Sequence, residues 1–458
     1  MVATSVLAEF VSGLAYDSLP ERVKKRACEC LLDLLGAVLS GLPTESSRQG
    51  VQLVRLFGGL PQATVVGRAL RTSAPLAALA NGITAHAQDI DDAHRLATGF
   101  HPGATVIPAA LAAAELAGSC TTEFLVALVA GYEVGGKVGR AINPSHRYRG
   151  FHSTGTVGCL AAAAAVARIL HLTPRETASA LGIAASQAGG LFAFLRGGAQ
   201  TKHFHAGHAA YAGVVSGMLA SLGFIGPSAV LEGEDGFCRA YADEFREEVL
   251  TRDLGSSFEI EQTYFKPHAA CGHAFSAIDA ALALRAGLPR SLDEVVQIRV
   301  RTYRAAAVLT NRRPSTPHGA KFSIPYCVAV ALLRGRVSLA EFQPESLADK
   351  EVIRLASRTV VEEDPAMTQA FPTVRPAVVE IILSSGARMD ARVDIPRGMP
   401  ENPLSPDDLE AKFATSAGPV VGADRAARIQ QLIRTLPEAE SLNPLMSLLF
   451  ERADAGGD

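Results

Sequence analysis

Ser18-Leu19-Pro20-Glu21-Arg22-Val23-Lys24-Lys25-Arg26-Ala27-Cys28-Glu29-Cys30-Leu31-Leu32-Asp33-Leu34-Leu35-Gly36-Ala37-Val38 reads as a helix along its length. Ser18 is the expected cap, Pro20 falls in the first turn where its missing N–H loses nothing, and Glu21 suits the positive helix end. Val23, Ala27, Leu31, Leu35 and Val38 then recur at helical spacing and lay one apolar stripe along the rod. The same pattern returns at 74–88, 104–117, 121–137, 155–170, 174–187 and 205–222. Nearly all of the first 250 residues therefore read as helices joined by short loops.

Working toward the C-terminus, the uncharged run 209–231 has the length of a membrane span, for which about 20 apolar residues suffice. Gly213, Gly217, Gly223, Gly226 and Pro227 interrupt it, so the expectation is a buried helix ending near Gly223 and no membrane. The texture changes after about residue 255. Val295-Val296-Gln297-Ile298-Arg299-Val300-Arg301-Thr302-Tyr303 alternates and is rich in β-branched residues, the signature of a strand. Ala377-Val378-Val379-Glu380-Ile381-Ile382-Leu383 reads likewise and turns through Ser384-Ser385-Gly386 into 387–395, a hairpin. With helices at 273–286, 323–334 and 346–357, this predicts a smaller α+β domain over 263–398. Residues 1–262 form an all-helical domain, and helices at 407–415, 423–434 and 438–451, within 399–458, return to it. The fold class is mainly α, and the polar tail 452–458 is expected to fray.

Composition sets bounds on function. Hydrophobic residues make up 48% and charged residues 19%, which permits a large core and speaks against disorder. With 43 basic and 46 acidic residues the net charge is -3, giving no footprint for nucleic acid or an anionic membrane. Seven scattered cysteines without a C-x-x-C pair fit neither a disulfide framework nor a zinc ribbon, and they point to a reducing cytoplasm. The stretch 1–14 carries Glu9 where a signal peptide has basic residues.

The chemistry-bearing residues fall in five clusters. Asp89-Ile90-Asp91-Asp92-Ala93-His94-Arg95 followed by His101-Pro102-Gly103 puts carboxylates and imidazoles just past a helix end, as acid/base work requires. The bland alternative is a loop whose aspartates cap the next helix. Metal binding by Asp91, Asp92, His94 and His101 lacks an H-E-x-x-H pattern or a histidine pair at i,i+4. Tyr148-Arg149-Gly150-Phe151-His152-Ser153-Thr154-Gly155-Thr156 opens an apolar helix whose free N–H groups suit a carboxylate, or it is an ordinary cap. Lys202-His203-Phe204-His205-Ala206-Gly207-His208 places a lysine beside an uncharged stretch, and burying it calls for an anion. Tyr264-Phe265-Lys266-Pro267-His268-Ala269-Ala270-Cys271-Gly272-His273 repeats that theme, with Cys271 an inert thiol in preference to a nucleophile. Lys321-Phe322-Ser323-Ile324-Pro325-Tyr326 opens a helix with Ser323 as cap and Tyr326 as donor.

No G-x-G-x-x-G after a strand, P-loop or G-x-S-x-G is present, which argues against nicotinamide, nucleotide and serine-hydrolase chemistry. Several cations gathered around one base suit a polycarboxylate whose α-proton is removed, because they steady the enediolate-like charge of the transition state. A non-catalytic scaffold or carboxylate-binding protein is the contrasting reading, and it has no reason to collect these side chains.

The order of Leu19-Pro20-Glu21, Leu31-Leu32-Asp33-Leu34-Leu35-Gly36, Ala80-Asn81-Gly82, His86, Asp89-Ile90-Asp91-Asp92, His101-Pro102, Gly150-Phe151-His152-Ser153-Thr154-Gly155, Lys202, His205-Ala206-Gly207, Lys266-Pro267 and Lys321-Phe322-Ser323-Ile324-Pro325-Tyr326 resembles the MmgE/PrpD family over nearly the whole chain. That family includes 2-methylcitrate dehydratase, cis-aconitate decarboxylase and iminodisuccinate epimerase. The resemblance implies a helical domain built from the N-terminal part and the C-terminal tail, an α+β lid, a pocket between them, a homodimer, and neither metal nor organic cofactor. Carried over by motif, Asp91, His101, His152 and Lys266 are the expected catalytic residues. Lys202, Tyr326, Tyr148 and His273 are the expected substrate-binding ones. Ala93 stands where family members often carry threonine, and Cys271 where the decarboxylase branch has histidine. The expectation is a cytoplasmic lyase that dehydrates a 2-methylcitrate-like acid, ahead of epimerisation and then decarboxylation.

Overall fold

The opening helix runs Glu21–Gly41 in the computed structural model, which describes residues 2–196, 199–288 and 292–453. Pro20, not Ser18, is its N-cap; the Ser18 hydroxyl instead donates to the Ala15 carbonyl within a 3-10 turn. Proline's fixed φ suffices to start the rod there, so the serine serves the preceding turn. The expected helices appear as Ala74–His86, Pro102–Ala117, Thr121–Ile142, Ser153–Ile169, Pro174–Ala185 and Thr201–Ser221, and Ala3–Gly13 and Glu45–Phe57 join them. The region is not all-helical as expected, since Ala63–Val65 pairs with Leu70–Thr72 and Ala93–His94 with Thr263–Tyr264. Thr201–Ser221 accounts for most of the uncharged run, and among the described residues no single helix is long and apolar enough to cross a membrane.

The chain divides into two units. The larger comprises Met1–Ala193, Gln200–Tyr264 and Ser405–Asp458, and its C-terminal helices are Pro406–Val421, Ala423–Arg434 and Asn443–Phe450. The smaller comprises Phe194–Ala199 and Phe265–Leu404. Two details depart from the sequence boundaries. Phe194 belongs with the smaller unit because its ring packs edge-on against His318 and Phe322. Residues 399–404 also belong there, since Gly398 N–H closes a turn on the Asn402 carbonyl at 2.8 Å and Gly398 packs against the Phe265 carbonyl. Residues 454–458 of the tail lie outside the described residues.

Inside the larger unit, alanine and glycine set the spacing. Ser153–Ile169 is buried almost throughout and packs against Pro102–Ala117, Thr121–Ile142 and Thr201–Ser221. Ala74–His86 crosses Thr201–Ser221 at Gly82 and Gly207, where a Cβ on Gly82 would stand 2.8 Å from the Gly207 Cα. Only glycine permits that approach, and it brings the loop after His86 to the first turn of the Thr201–Ser221 helix.

The smaller unit holds a four-stranded sheet in the order Thr359–Glu363, Val295–Thr302, Ala377–Leu383, Arg388–Val393. The first pair is parallel and the other two antiparallel, with Val300 opposite Val379 and Val379 opposite Ala391. The hairpin is thus where the alternation placed it. Thr359–Glu363 was not legible as a strand, because Val360-Val361-Glu362-Glu363 has no sustained alternation and follows directly on the Lys350–Ser357 helix. Helices Phe275–Leu284 and Ile324–Arg334 belong to the same unit, the former packed against the hairpin strands.

Candidate active site

Three helix starts build the site in the larger unit. His101 is the N-cap residue of Pro102–Ala117, His152 is the N-cap residue of Ser153–Ile169, and Lys202 lies in the first turn of Thr201–Ser221. The first two are stitched together: His101 N–H donates to Thr154 Oγ1 at 3.2 Å, and Thr154 N–H donates to the Gly99 carbonyl at 3.0 Å. The starts of these helices carry partial positive charge, which favours carboxylates.

Asp91 is the centre of the cluster. His86 Nδ1 lies 2.7 Å from Asp91 Oδ2, and His101 Nδ1 lies 3.1 Å from the same oxygen. Burial alone would raise the Asp91 carboxyl, but His86 and His101 outweigh it and hold it well below the usual carboxylate range. Burial drives His86 down to about 3, so at neutral pH it is an uncharged Nδ1–H donor to an ionised Asp91. Asp91 and His86 are sealed from solvent, whereas the His101 side chain is 11% exposed. The ionised Asp91 carboxylate lies close enough to His101 to stabilise that imidazole when it takes up a proton, as a general base requires.

The neighbouring aspartates have other tasks. Asp89 forms a buried ion pair with Lys202. Asp92 accepts Gly103 N–H at 2.9 Å and the Tyr132 hydroxyl at 2.7 Å, so it caps the helix that His101 begins. Burial and then Asp33 push its pKa up to about 8. The bland reading of this loop therefore holds for Asp92 and not for Asp89 or Asp91. His152 sits in the same interior, its ring stacked 6.0 Å from His86 and its Nδ1 3.1 Å from His205 Nδ1. Burial lowers both His152 and His205, the latter to about 4.

The metal set Asp91, Asp92, His94 and His101 is not gathered, because His94 Nε2 faces Glu259 at 3.1 Å and its Nδ1 accepts Ala97 N–H. Among the described residues the set able to hold a metal ion is His86, Asp91 and His101, with ligand atoms within 4.8 Å of one another. The Lys202 ammonium, close enough to depress His86, opposes a second cation there.

Of the residues expected from the sequence, Asp91, His101, His152 and Lys202 come together. Tyr148 ends the short helix Ser145–Tyr148 and is 44% exposed. Lys266, His273 and Tyr326 lie in the smaller unit. There Lys266 is buried, His273 Nδ1 meets the Tyr303 hydroxyl at 2.8 Å, and the Tyr326 hydroxyl donates to the Glu341 carbonyl at 2.6 Å. Ser323 caps the Tyr326 helix as expected, accepting Tyr326 N–H at 3.0 Å. Sequence reasoning named His86, Asp89 and His205 within its motifs but gave none of them a role in the site. A lone histidine closing the otherwise apolar helix Ala74–His86, and a histidine one turn beyond Lys202, were the available signals.

Family models and curated relatives match the chain along most of its length. The MmgE/PrpD N-terminal domain matches residues 5–249 and the MmgE/PrpD C-terminal domain matches residues 268–438. A cis-aconitate decarboxylase of Homo sapiens is 29% identical over 462 residues, covering 97% of this chain and 94% of the human protein. A cis-aconitate decarboxylase of Aspergillus terreus is 28% identical over 470 residues, 97% of this chain and 95% of the relative. A 2-methylcitrate dehydratase of Salmonella typhimurium is 27% identical over 391 residues, 79% of this chain and 76% of the relative.

Proposed function

This chain belongs to the MmgE/PrpD family, and from that premise we propose that it is a lyase acting on a small di- or tricarboxylic acid by moving a proton at the carbon beside a carboxylate. The observation that carries the reading is the His101–Asp91–His86 arrangement, with the least enclosed imidazole held on a buried, ionised carboxylate. His101 Nε2 takes the α-proton, and Asp91 steadies the imidazolium that results. The enediolate-like charge then meets the Lys202 ammonium, fixed in place by Asp89. Lys266 and Tyr326 stay with the proposal as substrate or proton-transfer groups on the strength of their motifs, Tyr148 through its nearness in sequence to His152, and His273 as the imidazole two residues beyond Cys271.

Dehydration of a 2-hydroxy acid follows if the electron pair expels hydroxide, which leaves as water with a proton from an imidazolium. Decarboxylation stands beside it on a specific ground: the relatives aligned over 97% of this chain are named decarboxylases, and the dehydratase of Salmonella aligns over 79%. Cys271 in place of the branch's histidine weighs the other way.

The test is incubation in deuterated water with 2-methylcitrate, citrate, cis-aconitate and iminodisuccinate, followed by NMR. Deuterium entering the α-position, with loss of water or carbon dioxide, is the expected result and also names the outcome. Folded protein that exchanges no proton in any member of the panel ends the lyase reading.

A further inference from the structure

Lys412 belongs to the Pro406–Val421 helix of the returning C-terminal segment, 322 residues beyond the loop it touches. That helix packs on Glu21–Gly41, where Gly36 leaves room for the Phe413 ring. The Lys412 ammonium donates to Asp33 Oδ1 at 2.5 Å and to the Ile90 carbonyl at 2.7 Å. Ile90 lies between the two aspartates of the site: Asp89, which pairs with Lys202, and Asp91, which holds His86 and His101. The backbone here is under constraint, since Asp89 has φ 56, the left-handed region that side chains other than glycine's seldom adopt. A conformation of this kind persists where the surroundings over-determine it.

We propose that Lys412 is a positioning residue that clamps the Ile90 carbonyl and thereby sets the directions of the Asp89 and Asp91 carboxylates. It touches neither carboxylate and acts only through the loop. Its carrier, the buried Asp33, orients the ammonium as a second anchor. The inference rests on the reading that this loop carries the proton-transfer groups.

A simpler role is neutralisation of Asp33, so Lys412→Met alone leaves a buried carboxylate without its cation and risks misfolding. The decisive variant is therefore Asp33→Asn with Lys412→Met, which removes that charge and the clamp together. Arg434→Met, on the same segment but at an exposed pair with Glu410, is the control. Two readouts separate this inference from the proposed function. In protein carrying 15N-histidine, the imidazole signals of His86 and His101 shift in the double variant and not in the control, whatever the enzyme turns over. With the substrate found in the panel above, kcat falls at least about tenfold while KM stays within a factor of two or three, and Lys412→Arg recovers part of the loss. Imidazole signals unchanged in a folded double variant overturn the inference even if wild-type protein proves inactive. Wild-type kcat in that variant overturns it equally.

Discussion

His152 and His205 meet Nδ1 to Nδ1 at 3.1 Å in the interior of the larger unit. Such a contact needs one donor and one acceptor, and burial keeps both rings uncharged at neutral pH. One imidazole therefore presents Nδ1–H to the lone pair of the other, and the contact couples the tautomer of His152 to that of His205. Whether His152 Nε2 carries a proton is thus tied to a residue outside the Asp91 cluster.

His205→Phe keeps an aromatic ring and removes both nitrogens. Turnover is expected to fall by about 10²-fold, the lower range for a disturbed acid/base group, with the thermal midpoint changed by a few degrees. Wild-type turnover, together with an unaltered His152 Nδ1 signal in the nitrogen spectrum, would show that the pair is only packing.

The Asp89–Lys202 pair makes a second test, because removing one partner of a buried pair is far more harmful than removing both. Lys202→Met strands a carboxylate that is about as buried as any in the chain and should lose about 3–5 kcal/mol of stability. Lys202→Met combined with Asp89→Asn should regain most of that loss in urea unfolding but none of the turnover. Recovery of activity in the double variant would mean that the pair serves the fold alone.

Asp92 predicts a pH dependence. Its carboxyl titrates near 3.9 in an unfolded chain and at about 8 in the folded one. Between those values the folded state keeps a proton that the unfolded chain has released. The stabilisation is whole below about pH 4 and is lost as pH rises through about 8. Asp92→Asn fixes the neutral form, so its stability relative to wild type should climb from pH 5 to 8 by up to ~1.4 kcal/mol per pH unit. Unfolding curves of the two proteins that run parallel over this range would refute the assignment.

Asp91→Asn is expected to lower turnover by about 10²–10⁴-fold, since the amide cannot hold His101 as an ionised carboxylate does. Deuterium exchange into the substrate should slow in step with turnover. Product formation that falls while exchange persists would move the role of Asp91 from proton removal to the later step.

How much of this was readable in the chain differs from residue to residue. The Val23 to Val38 stripe, the Pro20-Glu21 start and the alternation of Val295 to Tyr303 are periodic, and periodicity survives into the structure because each element buries its own apolar face. Cap chemistry was readable at Ser323, while Ser18 shows that a capable residue beside a proline is not always used. Motif order pointed to one family, and His101, His152 and Lys202 from those motifs come together in the larger unit.

By itself, then, the sequence determined the helices, the sheet hairpin, the family and a short roster of polar residues. Only the tertiary structure decided what each does. Nothing in Asp89-Ile90-Asp91-Asp92 says that the first carboxylate pairs with Lys202, the second gathers two histidines and the third caps a helix. Those choices depend on close passage of glycines such as Gly82 and Gly207, and on Lys412 arriving from hundreds of residues away. The reason is physical: an apolar stripe is written locally, whereas a buried hydrogen bond belongs to whichever partner the packing of the whole chain brings within reach.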